Sequence, residues 1–237
     1  MLKQPPLTSS GILSDIRFFF FDKPEISTNI KFHTDEERML YSRSILQRTG
    51  IGVDEYRVLN IHHIGIEAPA SFVFEELLKW NGDSSCWPNH IAKVTLKDGR
   101  LDQIKVNLFG WPSDPFKPKK GISGLQLFHL FNLSAIKIQS TPEPFDFDNA
   151  RFLLYKCSGG YPIGVFSMYL RTSIPERGEK EMSQLFMMVG FNFYGNKTLT
   201  KINLISKTWQ SIHNRATTHI LNRFKQLSEW RFEQFIN

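Results

Sequence analysis

Residues 203–235 read NLISKTWQSIHNRATTHILNRFKQLSEWRFEQF, and in them Ile205, Trp209, Ile212, Ala216, Ile220, Phe224, Leu227 and Trp230 recur at steps of three or four. That is the period of one face of an α-helix, and no proline interrupts it. The spacing predicts a helix from about Asn203 to Phe235, roughly 50 Å long at 1.5 Å per residue. A stripe this wide and aromatic needs a large apolar surface to pack on. That surface has to come from upstream.

Upstream, from Tyr56 onward, the pattern is that of strands. Tyr56 to Glu67 is β-rich, and Ala92-Val94-Leu96 and Ile104-Val106-Leu108 alternate with polar neighbours across a Lys97-Asp98-Gly99-Arg100 hairpin turn. Further strands are expected near 133–140, 151–157, 163–173 and 183–195, with Asn149, Gly159-Gly160, Pro175 and Gly178 as breaks. Residues 123–131 read equally as helix or strand. Ala68-Pro69-Ala70-Ser71 opens a helix carrying Phe72, Val73, Phe74, Leu77 and Leu78; Gly82 ends it, and a second short element follows around Trp87 to His90. Residues 1–55 differ from the rest. A loose start with Pro5 and Pro6 precedes Thr34-Asp35-Glu36-Glu37, a capping box. Met39, Leu40, Ile45 and Leu46 then follow at helical spacing up to Gly50, so a short helix is expected over 35–48. The division expected is an extension, 1–55, acting as a lid or brace on a main domain, 56–237.

A strand, two short helices, a run of antiparallel strands and a long terminal helix form the order of the helix-grip fold, an α+β architecture. The junction Ile66-Glu67-Ala68-Pro69-Ala70-Ser71-Phe72-Val73-Phe74-Glu75-Glu76-Leu77-Leu78 resembles the first strand-to-helix junction of the START-like superfamily, also called SRPBCC or polyketide-cyclase-like. That family places an alanine-proline pair before an apolar residue and an aromatic, here Val73 and Phe74, and Trp87 resembles the tryptophan of its second helix. The resemblance covers roughly 56 to 236; the stretch 110–131 and the extension depart from it. It implies a curved antiparallel sheet gripping the helix around a deep cavity. It also implies members that bind lipids, sterols, polyketides or hormones, some of them cyclases, hydratases or chaperone activators. Fold does not choose among these.

Composition narrows the classes. The 237 residues are 41% hydrophobic and 22% charged, ordinary for a packed protein, and 21 are Phe. The net charge of +6 and pI near 9.3 invite nucleic acid. Yet only Lys117, Lys119 and Lys120 cluster, in the Pro-rich loop from Pro112 to Gly121, so no nucleic-acid partner is expected. Met1 to Phe21 lacks the pattern of a secretory leader, and no apolar run is long enough for a membrane span. A cytoplasmic location and free thiols at Cys86 and Cys157 follow as expectations. No CxxC, HExxH, P-loop or dinucleotide fingerprint occurs, so neither metal nor cofactor is expected.

Strand alternation assigns an inner face of Ile104, Val106, Leu108, Ile136, Ile138, Phe166, Met168, Leu170, Leu185, Met187, Val189 and Phe191, with Arg171 on the opposite set. So apolar a face offers few groups for acid-base work, which argues against catalysis. Adjacent strand residues point to opposite faces, so only one of His62 and His63 turns inward. The function expected is non-catalytic binding or transport of an apolar or amphipathic small molecule between sheet and terminal helix. Its lining would be His63, Ile104, Val106, Phe166, Met168, Met187, Phe191 and Trp209, with no catalytic residue and no metal ligand. The alternatives are a cyclase or hydratase using a cavity His and a tyrosine such as Tyr155, or a protein-interaction module. The outer-set residues Phe186 and Met188 make an apolar strip that either the extension or the second subunit of a homodimer would cover.

Overall fold

The computed structural model describes residues 17, 20–49, 58–79, 92–108, 131–139, 151–157, 163–173, 182–191 and 203–237. Helix α1 spans Asp35–Thr49, strand β1 Val58–Ile66 and helix α2 Ala70–Leu77. Strands β2 (Ala92–Lys97), β3 (Arg100–Leu108), β4 (Phe131–Gln139), β5 (Arg151–Cys157), β6 (Ile163–Ser173) and β7 (Met182–Phe191) follow, and helix α3 (Asn203–Ile236) ends the chain. The short element around Trp87, Cys86, the Pro112–Gly121 loop and residues 123–130 lie outside the described residues.

All seven strands form one antiparallel sheet in the order β1-β7-β6-β5-β4-β3-β2. The β2–β3 turn places Asp98 and Gly99 at φ 54° and 71°, the two left-handed central residues that a two-residue hairpin requires. Period-2 alternation gives the sheet two apolar faces. Ile64, Ile66, Ile104, Leu153, Tyr155, Met168, Leu170, Leu185, Met187 and Val189 pack with α2 and with Ile220, Leu221 and Phe224 of α3. This is the helix-grip arrangement: the sheet is laid against one long terminal helix. On the opposite face Leu59, Ile61, Leu154, Val165, Tyr169, Phe186 and Met188 are covered by Ile30, Phe32 and Tyr41. The extension of the same chain therefore covers the Phe186–Met188 strip.

The capping box forms. The Glu37 amide donates to Thr34 Oγ1 at 3.0 Å, and Glu37 Oε2 accepts from the His33 amide at 2.8 Å, one residue before the cap. Of the expected α1 stripe Met39 is half-buried and Leu40 is not buried, and the side chains of Ile45 and Leu46 lie outside the described residues. Leu40 is 63% exposed, and Tyr41 and Ser42 turn inward. Tyr41 and Ser42 follow Arg38 by three and four residues, so one turn of helix brings each of them to the side of Arg38. Ile212, expected in the α3 stripe, is 38% exposed. From His219 to Phe224 every residue of α3 is buried, so here the helix has no solvent face. Near its C-terminus α3 is held by charge: Glu76 of α2 pairs with Arg231 and Lys79, Lys225 pairs with Glu229, Glu229 Oε1 accepts from the Glu67 amide at 2.7 Å, and Lys225 Nζ donates to Gly65 O at 3.0 Å.

Candidate functional site

α3 runs alongside β1 in the same direction, because Asn214 meets His62, Lys225 meets Gly65 and Glu229 meets Glu67. Its N-terminal half therefore lies over the end of the sheet where β1 and β6 begin and β5 and β7 finish. The two ends of this layer differ. Ile104, Met168 and Met187 expose 1%, 1% and 3% of their surface, so no water-sized void opens onto them. Toward the N-terminal end of α3, Phe166 and Trp209 still pack on the core but are only half-buried. The Phe166 ring lies 6.5 Å from Tyr155, and Trp209 packs edge-on to His213 at 5.1 Å. Val106 and Phe191 belong to the same end by register, paired with Phe131 and with Val58 and Ile163; their side chains lie outside the described residues.

The inward histidine is His62, which corrects the expected His63. His62 is fully buried, with Nδ1 3.0 Å from Thr28 Oγ1 and Nε2 3.1 Å from Asn214 Oδ1. Thr28 Oγ1 is also 3.0 Å from Thr218 Oγ1, whose hydroxyl donates to the Asn214 carbonyl at 2.8 Å. With Asn214 Oδ1 facing it, Nε2 carries the proton, and the one hydroxyl proton of Thr28 then serves either Nδ1 or Thr218. His63 lies on the outer face, 4.7 Å from the Phe186 ring, and its amide donates to Thr28 O at 2.9 Å. The reason is parity. His62 shares its set with Ile64 and Ile66, His63 with Leu59 and Ile61.

More titrating groups are buried in the sheet and along α3 than strand alternation alone implies. Burial pushes His62 down to about 4, against the opposing pull of the Asn214 hydrogen bond, and pushes His213 down to about 4 as well. His219 falls to about 4 through burial and then the Arg215 charge, with Asp22 opposing. Burial, and secondly Asp102, raises Tyr155; burial, and secondly Arg231, lowers Arg223. Tyr155 was legible from the strand set it shares with Leu153. The burial of His213, His219 and Arg223 was not, because it depends on what packs over α3, which the apolar stripe does not encode.

His62 and Tyr155 stand apart. Three strand spacings separate β1 from β5, about 14 Å along the sheet, and both His62 nitrogens are engaged within the protein. The outer Arg171 instead donates from Nε to Gln184 Oε1 at 2.8 Å and lies 5.2 Å over the Phe186 ring.

The N-terminal segment straps the β1 edge and α3 together. Ile30 N donates to Ile61 O at 3.0 Å around the Asn29–His62 bridge. The Asn222 carboxamide meets both the amide and the carbonyl of Ile26, at 2.9 and 2.8 Å, and Arg215 donates to Asp22 O at 2.9 Å. Beyond Ile30 the segment turns away toward α1, and a cleft of about 520 Å³ lies between it, Leu59–Ile61 and Gln210 of α3.

No family model matches the chain, and a search of curated proteins returns no match. Among solved structures it is similar to the ZhuI aromatase/cyclase from Streptomyces sp. R1128, at 13% identity and TM-score 0.41 over 76% of this chain and 96% of that one. A START superfamily protein from Mycobacterium smegmatis matches at 12% identity and TM-score 0.40 over 75% and 98%. Norcoclaurine synthase from Thalictrum flavum matches at 8% identity and TM-score 0.33 over 70% and 91%. At these scores the likenesses carry no argument about ligand or activity. Among the described residues no helix is long and apolar enough to cross a membrane. On its own strand order, antiparallel register and terminal helix, the chain resembles the START-like superfamily in fold.

Proposed function

We propose that the chain binds an apolar or amphipathic small molecule, without transforming it, under the N-terminal half of α3. Residues 56–237 would form the binding unit and residues 1–55 the brace. One observation carries the reading. The inner layer is sealed around Met168, Leu170 and Leu185, whereas Phe166 and Trp209, facing the same layer at the other end, keep part of their aromatic surface uncovered. A ligand laid on these rings, with Val106 and Phe191 beside them by register, gains about 25 cal/mol for each Å² of apolar surface removed from water, before association costs. Ile104, Met168 and Met187 then act as the closed floor of the site and not as its lining. Native mass spectrometry of protein purified without detergent, followed by a screen against lipid extract, tests this. A retained or acquired apolar mass is expected, lost on Phe166→Ser while the fold survives. A protein that retains nothing and takes nothing from the extract is not a binder of this class.

A further inference from the structure

The side of α3 turned away from the sheet is covered along only part of its length. Leu204, Ser211, Arg215, Thr218 and Asn222 fall on that side by helical spacing. Over the last three the strap lies across it: Arg215 donates to Asp22 O at 2.9 Å, Thr218 Oγ1 stands 3.0 Å from Thr28 Oγ1, and the Asn222 carboxamide meets the amide and the carbonyl of Ile26. Ahead of Arg215 the same side is open. Leu204 is 77% and Ile212 38% exposed, with Lys207, Thr208 and Ser211 exposed between them. The strap adds two more apolar groups here, because Phe20 and Phe21, 55% and 79% exposed, precede the Asp22 that Arg215 holds. Large apolar side chains gathered on one exposed face mark a contact surface. Its charge says what kind. Among the described residues of this face, Arg17, Lys23 and Lys207 stand exposed and Arg215 half-buried, against the acids Asp22 and Glu25. A second copy of the chain fits poorly, since a two-fold contact would set the same basic groups against one another. An anionic bilayer answers both properties: apolar side chains enter the boundary between headgroups and acyl chains, and basic ones meet the headgroups.

We propose that this face docks the protein on an anionic lipid bilayer, with Phe21, Leu204 and Ile212 inserted and Arg17, Lys23 and Lys207 on the headgroups. It lies on the far side of α3 from Trp209, which packs on the core, and the docking does not rest on the ligand reading above. Flotation of the full chain with vesicles of phosphatidylcholine alone, and of phosphatidylcholine and phosphatidylglycerol in equal parts, tests it. The mixed vesicles are expected to carry the protein, the neutral ones to bind it about tenfold more weakly or worse, and added salt to release it. Phe21→Ser and Leu204→Ser should each weaken binding by about tenfold, and Lys207→Gln by about fivefold. All three positions are exposed, so the melting temperature should hold. Ile236→Ser, which changes an exposed apolar residue at the opposite end of α3, should leave binding as it is. No flotation with the mixed vesicles, equal flotation with the neutral ones, or losses in Phe21→Ser and Leu204→Ser no larger than in Ile236→Ser would each overturn the proposal. So would a dimer formed without lipid that Leu204→Ser dissolves, which would make this face a contact between two copies.

Discussion

The two halves of α3 meet the same sheet and do different things there. The C-terminal half is dry: Leu221, Phe224 and Leu227 press on a layer sealed by α2, and charges close its border through Glu76, Arg231, Lys225 and Glu229. The N-terminal half is polar and incompletely covered. Asn214 and Thr218 reach β1 through His62 and the strap residue Thr28, and Trp209 and Phe166 stay half-buried. Apolar packing tolerates no gap without a large cost, whereas a hydrogen-bonded strap can hold two elements at a distance. Close packing is thus concentrated at one end, and the proposed site uses the other.

The largest expected break in this comparison comes from removing the strap. Deleting residues 1–54 strips Ile30, Phe32 and Tyr41 from the outer face and Thr28 from His62. At roughly 1.5–3 kcal/mol per buried side chain, the loss should be on the order of 5 kcal/mol. It should appear as a lower melting temperature and new binding of a hydrophobic dye; an unchanged melt with no dye binding would mean that the strap does not brace the fold. Next comes the contrast between the halves themselves. Phe224→Ala should cost about 3–5 kcal/mol in denaturant titration and Trp209→Ala distinctly less, since only the former is fully buried. Equal losses would erase the distinction.

Acid should act on the polar half. His62 and His213 are held near 4, below their ordinary 6.5, so between those values the unfolded chain binds more protons than the folded one. Their contribution is full above about pH 6.5, is lost as pH falls toward 4, and stays lost below. Each could account for a loss on the order of 3 kcal/mol. Urea midpoints followed from pH 7 to pH 4 should fall in wild type and fall less in His62→Gln; parallel curves would place the acid effect elsewhere. The smallest expected effect is Met168→Trp, which overfills a sealed layer and should cost about 1–3 kcal/mol. If it leaves stability untouched, a void exists where the layer looks closed.

Much of the architecture was legible because it rests on periodicity. The terminal helix, the seven strand positions and the Asp98-Gly99 turn follow from apolar spacing and from two residues that accept positive φ. What was not legible depends on contacts between segments far apart in the chain. Which histidine faces α3 follows from the parity of β1 against β7, where His62 stands opposite Met187 and His63 opposite Phe186. The burial of Tyr41 in place of Leu40 depends on where α1 lands on the outer sheet face. The cleft beside Leu59–Ile61 exists only because the strap leaves β1 after Ile30, and no local spacing encodes that departure.

The central claim is that ligand meets the N-terminal half of α3 and not the C-terminal half. Nitrogen-labelled protein gives one indole signal for each of the five tryptophans, and Trp209→Phe and Trp230→Phe assign the two on α3. Titration with the apolar ligand recovered by mass spectrometry should shift the Trp209 indole and leave that of Trp230, in the C-terminal half, in place. A Trp230 shift with Trp209 unmoved, or no shift of either at saturation, would contradict the account.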